Sequence, residues 1–97
     1  MKQYVIIARD GTDTDALPRR MTARPAHLAG VSALKANGHY VSAGAMLDDD
    51  GKMKGSVMIL QFETEADFQQ WYDNETYIQE GVWKEIEVHP FRVAQVD

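Results

Sequence analysis

Arg20, Arg24, His27, Val31 and Leu34 recur at i, i+4, i+7, i+11 and i+14, the spacing of one stripe along a helix. Two cations, an imidazole and two aliphatic groups in that order describe a stripe that runs from a polar mouth into a core. An imidazole at that boundary titrates near neutral pH and can take or give a proton, so His27 is a candidate for general acid–base chemistry. The same spacing fits a histidine that is only hydrogen-bonded at the edge of a core, and from spacing alone that is the commoner outcome. Arg20 and Arg24, with Arg19 beside them, carry donors shaped for a carboxylate, phenolate or phosphate. Their plainer reading puts them in solvent or pairs them with the acidic loop Asp10 to Asp15 for little net energy.

Two further segments bear on a site. Ser42-Ala43-Gly44-Ala45 places small residues inside a strand-like run, and Gly44 there marks either a bulge or a close approach by a ligand or another backbone. Glu75-Thr76-Tyr77 offers a carboxylate and a phenol within one turn; taken alone, it reads as a solvated loop carboxylate. His27, His39 and His89 fall on different elements without paired spacing, and Asp48-Asp49-Asp50-Gly51-Lys52 lacks the alternating ligands and closing glutamate of a calcium loop. No metal site is expected. No phosphate-binding glycine loop, dinucleotide fingerprint or Gly-x-Ser-x-Gly elbow is present, so no cofactor is expected either.

The elements that must position these groups follow from pattern. Tyr4-Val5-Ile6-Ile7-Ala8 is a continuous apolar run rich in β-branched residues, as in a central strand covered on both faces. Turn formers from Asp10 to Asp15 lead to a helical pattern from Arg19 to about Asn37, stopped by Asn37-Gly38, with Pro18 in its first turn. Pro25 removes one helical N–H and predicts either two short helices or one kinked helix. His39 to Met46 and Gly55 to Phe62 are strands joined through Asp50-Gly51 in a hairpin. Thr64 caps a second helix that frays near Asp73-Asn74, Glu75 to Glu80 forms a short amphipathic piece, and Val82 to Val96 alternates as a last strand. Pro90 requires that strand to bend, bulge or lie at an edge.

Strand, helix, two strands, helix, strand is the β-α-β-β-α-β order of a ferredoxin-like α+β fold, here a single domain over residues 1–97. Its helices cover one sheet face, so the apolar first strand predicts a homodimer with sheets packed face to face. With 44% hydrophobic residues in 97, the chain supports one core. Ten Lys and Arg against 15 Asp and Glu give a net charge of −5, which argues against nucleic acid. The absence of cysteine excludes disulfides and thiolate chemistry. No stretch is long and apolar enough for a secretory signal or a membrane span, so a soluble cytoplasmic protein without a membrane partner is expected.

Arg24-Pro25-Ala26-His27-Leu28, Gly38-His39-Tyr40-Val41-Ser42-Ala43-Gly44, Thr76 to Trp83 and Val88-His89-Pro90-Phe91 together make the chain resemble the YciI-like, or YCII-related, family. The likeness spans nearly the whole chain, and the Arg-Pro-x-His-Leu element is its most specific part. It implies a dimeric α+β barrel of ferredoxin-like protomers and a cleft in which the histidine matching His27 forms a proton-transferring pair with an acid. That acid is typically the aspartate of an Asp-Pro-Tyr element; here Glu75 stands in its place, with Asp73 as a substitute. The resemblance also implies, for some members, proton transfer and elimination on hydroxylated or chlorinated rings. The expectation is an enzyme without a cofactor acting on a small, oxygenated, anionic molecule. His27 and Glu75 or Asp73 would be its catalytic residues, with Arg20, Arg24, Ser42, Gly44 and Tyr77 binding the small-molecule ligand. The competing expectation is a non-catalytic dimeric module that binds a metabolite or a partner protein in the same cleft.

Overall fold

A computed structural model describes all 97 residues. The elements are β1 (Lys2–Asp10), α1 (Ala16–Ala36), β2 (Tyr40–Leu47), β3 (Met53–Phe62), α2 (Glu65–Asn74), the one-turn α3 (Thr76–Gln79) and β4 (Trp83–Phe91). They form one antiparallel sheet in the order β2-β3-β1-β4, the expected ferredoxin-like arrangement. No helix is long and apolar enough to cross a membrane.

Local chemistry accounts for the boundaries. α1 runs through Pro25 as one helix rather than two. Only the Met21 carbonyl loses its partner, and Pro25 lies on the exposed side. At its end the Gly38 N–H bonds to the Lys35 carbonyl (3.2 Å) and the His39 N–H to the Leu34 carbonyl (2.9 Å), with Gly38 at φ +79°. This left-handed turn sends the chain directly into β2. The Thr64 hydroxyl accepts from the Asp67 N–H at 3.1 Å and starts α2, as expected. β4 stops at Phe91, short of the expected Val96. Pro90 is tolerated because β4 is an edge strand.

Tyr4, Ile6 and Ala8 of β1 pair with Leu60, Met58 and Ser56 of β3, and this sheet face packs against Ala23 and Leu34 of α1 and Phe68 of α2. The opposite face carries Val5 and Ile7 against Ile59 and Val57, all four only half-buried. Within one chain β1 is therefore central but covered on one side, not both.

Two irregularities set the parity of β2. The register shifts between Tyr40 and Ser42 and again between Met46 and Leu47, while Gly44 pairs regularly with Val57. The bulge is thus near Val41, not at Gly44. It turns Tyr40, Ala43 and Ala45 toward the helices and Ser42 toward the open face.

Candidate active site

His27 sits near the middle of α1, 8% exposed, one to two turns beyond the buried Arg20 and the half-buried Arg24. The stripe read from the sequence exists. Its imidazole Nδ1 is in hydrogen-bond contact with Oε1 of Glu75, which is itself only 5% exposed. Glu75 is fixed by a second bond. It lies at the N-terminal cap of α3, and the same Oε1 accepts the Tyr77 N–H at 3.1 Å. One carboxylate therefore caps the turn and holds the imidazole. With Nδ1–H donated to Glu75, the neutral ring presents its lone pair at Nε2. Nε2 has no protein partner and is not sealed from solvent.

Tyr77 packs beneath this pair. It is fully buried, its ring lies 3.8 Å from the imidazole centroid at 8°, and Trp83 meets it edge-on at 5.6 Å. The guanidinium carbon of Arg20 stands 4.8 Å from the phenol centroid. Burial pushes the Tyr77 hydroxyl above its ordinary value of 10.0, against the pull of Arg20 and Arg24.

Arg20 is engaged on three sides. Its Nη1 donates to both Asp10 oxygens (3.0 and 3.1 Å) and its Nη2 to the Ser56 hydroxyl (2.9 Å). The Trp83 indole donates to the same hydroxyl at 3.2 Å. Arg20 and Asp10 are 3% and 8% exposed, so each is the other's charge compensation. Arg24 forms no ion pair with any carboxylate. Of the two arginines expected to hold an anion, Arg24 alone is uncommitted.

These groups surround a cavity of ≈ 250 Å³. One wall is Arg20, Arg24, His27, Leu28 and Val31 of α1; the other is Tyr40 and Ala43–Ala45 of β2 with Met53, Ser56 and Met58 of β3, and Tyr77 closes it. Gly44 lies on the wall. Ser42 does not, because the bulge near Val41 turns it to the other sheet face. Asp73 is not the partner of His27: it is exposed on α2 and accepts from Gln69 Nε2 at 2.8 Å. No cluster of three His, Cys, Asp or Glu side chains gathers in ligating reach.

Ser56 and Trp83 belong to the site although sequence reasoning gave them no role, and Asp10 enters it as the acidic-loop partner of Arg20 that the plainer reading offered. The signal for Asp10 was its parity with Tyr4, Ile6 and Ala8, which puts it on the buried face. Ser56 was similarly marked as a hydroxyl opening the apolar run Val57 to Leu60.

The fold and its cavity define a class: a ferredoxin-like α+β protomer with a buried histidine–carboxylate pair opening between the first helix and the β2–β3 hairpin. The chain belongs to the YCII-related domain family, whose match covers residues 2–92. It is 37% identical over 95 residues to Protein YciI of Escherichia coli, spanning 92% of this chain and 95% of that protein. An uncharacterized protein of Haemophilus influenzae is 33% identical over the same shares of each chain. Among solved structures, the fold is similar to that of 5-chloro-2-hydroxyhydroquinone dehydrochlorinase (TftG) from Burkholderia phenoliruptrix AC1100 in complex with 2,5-dihydroxybenzoquinone. The TM-score is 0.79 at 24% identity, covering 95% of each chain. A dimeric ferredoxin-like protein of unknown function from Jannaschia sp. CCS1 matches with a TM-score of 0.59 at 14% identity, over 96% of this chain and 100% of that one.

Proposed function

We propose that this protein is an enzyme that moves protons on a small oxygenated ring, of the hydroxylated or halogenated aromatic class, bound as an anion. The observation that carries this reading is the buried His27–Glu75 pair, whose Nε2 is left free on the wall of a cavity that also holds the uncommitted guanidinium of Arg24. Glu75 fixes the tautomer and orientation of the ring. His27 Nε2 then accepts a proton from a ring hydroxyl and returns one to a ring carbon. Arg24 holds the resulting oxyanion.

For a halogenated hydroquinone such steps balance without an oxidant. Two hydroxyl protons leave the ring oxygens, one is delivered to the carbon bearing the halogen, and the other departs as the halide is expelled. The ring is left as a quinone. The cavity of ≈ 250 Å³ and its largely apolar walls suit one such ring, and the similarity in fold to a dehydrochlorinase of a hydroxyquinol supports the same substrate class. The assay is halide release and quinone absorbance from chlorinated hydroquinones. Wild-type protein is expected to release halide and His27→Ala to lose the activity. Ring ligands that bind to both proteins with no turnover in either would leave a binding module instead.

We also infer that the working unit is a homodimer. The open sheet face presents Val5, Ile7, Val57 and Ile59 as one contiguous apolar centre, half-buried in a single chain. A second copy packed face to face removes that surface from water.

A further inference from the structure

Two buried donors in this molecule have no acceptor: the hydroxyl of Tyr77 and Nε of Arg20. Unmet buried polar groups are rare and destabilising, and this pair is not scattered. The two residues touch each other, guanidinium carbon to ring centroid 4.8 Å, and both line the cavity that holds His27. Packing does not require either atom. A phenylalanine at position 77 would stack on His27 and meet Trp83 as well as tyrosine does, without an unpaired hydroxyl. The other donors of Arg20 are already satisfied by Asp10 and Ser56.

We propose that the Tyr77 hydroxyl, with Arg20 Nε beside it, is the subsite that receives one neutral oxygen of the ligand, a ring carbonyl or hydroxyl. Arg24 then serves the charged oxygen. This deepens the proton-transfer reading and rests on its ring-shaped ligand. The chemistry is coherent at each group. Asp10 neutralises Arg20, so this end of the cavity presents donors without net charge and favours a carbonyl over a second anion. The phenol, whose ordinary value of 10.0 burial only raises, is a donor across the whole neutral range.

The test compares wild type with Tyr77→Phe, using 2,5-dihydroxybenzoquinone as the probe, by calorimetric titration and thermal unfolding. The expected result is a melting temperature equal to or above wild type, because an uncompensated hydroxyl has gone, together with binding weakened about tenfold. A Tyr77→Phe protein that binds the probe as tightly as wild type overturns the subsite. So does one that melts clearly lower, which would mean the hydroxyl has a structural acceptor. Absence of probe binding by wild type overturns the subsite and the ring-ligand reading together. Tight wild-type binding that Tyr77→Phe weakens supports the subsite even where no halide is released, and that last result counts against proton transfer alone.

Discussion

The imidazole of His27 lies parallel to the phenol of Tyr77, with centroids 3.8 Å apart and planes 8° from coincident. The two residues sit 50 positions apart in the chain and are joined by a third, since Glu75 binds His27 Nδ1 and caps the turn that carries Tyr77. One carboxylate thus sets both the imidazole and the phenol ring against which it packs. Glu75 does this at the position where the family resemblance implied an aspartate, one methylene shorter.

The protonation of Tyr77 gives a pH dependence with a definite sign. Burial raises its hydroxyl above the ordinary value of 10.0 in the folded chain. A raised folded value means stability that is fully present below 10.0 and lost as the pH climbs through the folded value. Melting temperatures measured from pH 8 upward should therefore fall more steeply for wild type than for Tyr77→Phe. Parallel curves would show that the hydroxyl is not held in a desolvated place.

The two arginines of the α1 stripe should separate cleanly. Arg20→Ala leaves Asp10 buried and unpaired, and is expected to cost about 3–5 kcal/mol of stability. Adding Asp10→Asn should recover part of that loss. Arg24→Ala removes a partnerless guanidinium, so its stability should stay within about 0.5 kcal/mol of wild type while the affinity for an anionic ring falls. Denaturant unfolding and titration of the four proteins check both halves. Loss of stability at Arg24, or its absence at Arg20, would reverse the assignment of roles.

Light scattering tests the outer sheet face. The expected mass is twice the 10.9 kDa of one chain. Ile59→Lys, at the centre of the apolar patch, should shift it toward one copy by burying an unpaired charge in the interface. A wild-type monomer would contradict the dimer.

Pattern alone was enough for most of the fold. Alternation, Asp50-Gly51, Thr64 and the Gly38 stop are local signals, and they yielded the element order and the hairpin. The stripe from Arg20 to Leu34 was equally legible, because helical spacing is fixed by geometry. What escaped depends on contacts between distant segments. Ser42 was expected at the cavity with the small residues around Gly44, and a single bulge near Val41 turns it to the other face. Arg20 read either as an anion binder or as a partner of the acidic loop Asp10 to Asp15, and spacing could not choose between them; Asp10 takes its Nη1 and Ser56, on a different strand, its Nη2. The choice between Asp73 and Glu75 could not be made from spacing either. The two separate in space where α2 ends and α3 begins, which turns Glu75 toward His27 and leaves Asp73 on the exposed helix.

The most direct measurement is a double-mutant cycle on turnover, with wild type, His27→Ala, Glu75→Gln and the double variant compared in halide release from a chlorinated hydroquinone. His27→Ala is expected to lower kcat/KM by about 10²–10⁴-fold. Glu75→Gln should lower it less, and the double variant no further than His27→Ala, because the carboxylate acts only through the imidazole. Losses that multiply across the two sites, or a His27→Ala protein that keeps the wild-type rate, would contradict a histidine–glutamate pair as the proton-transferring unit.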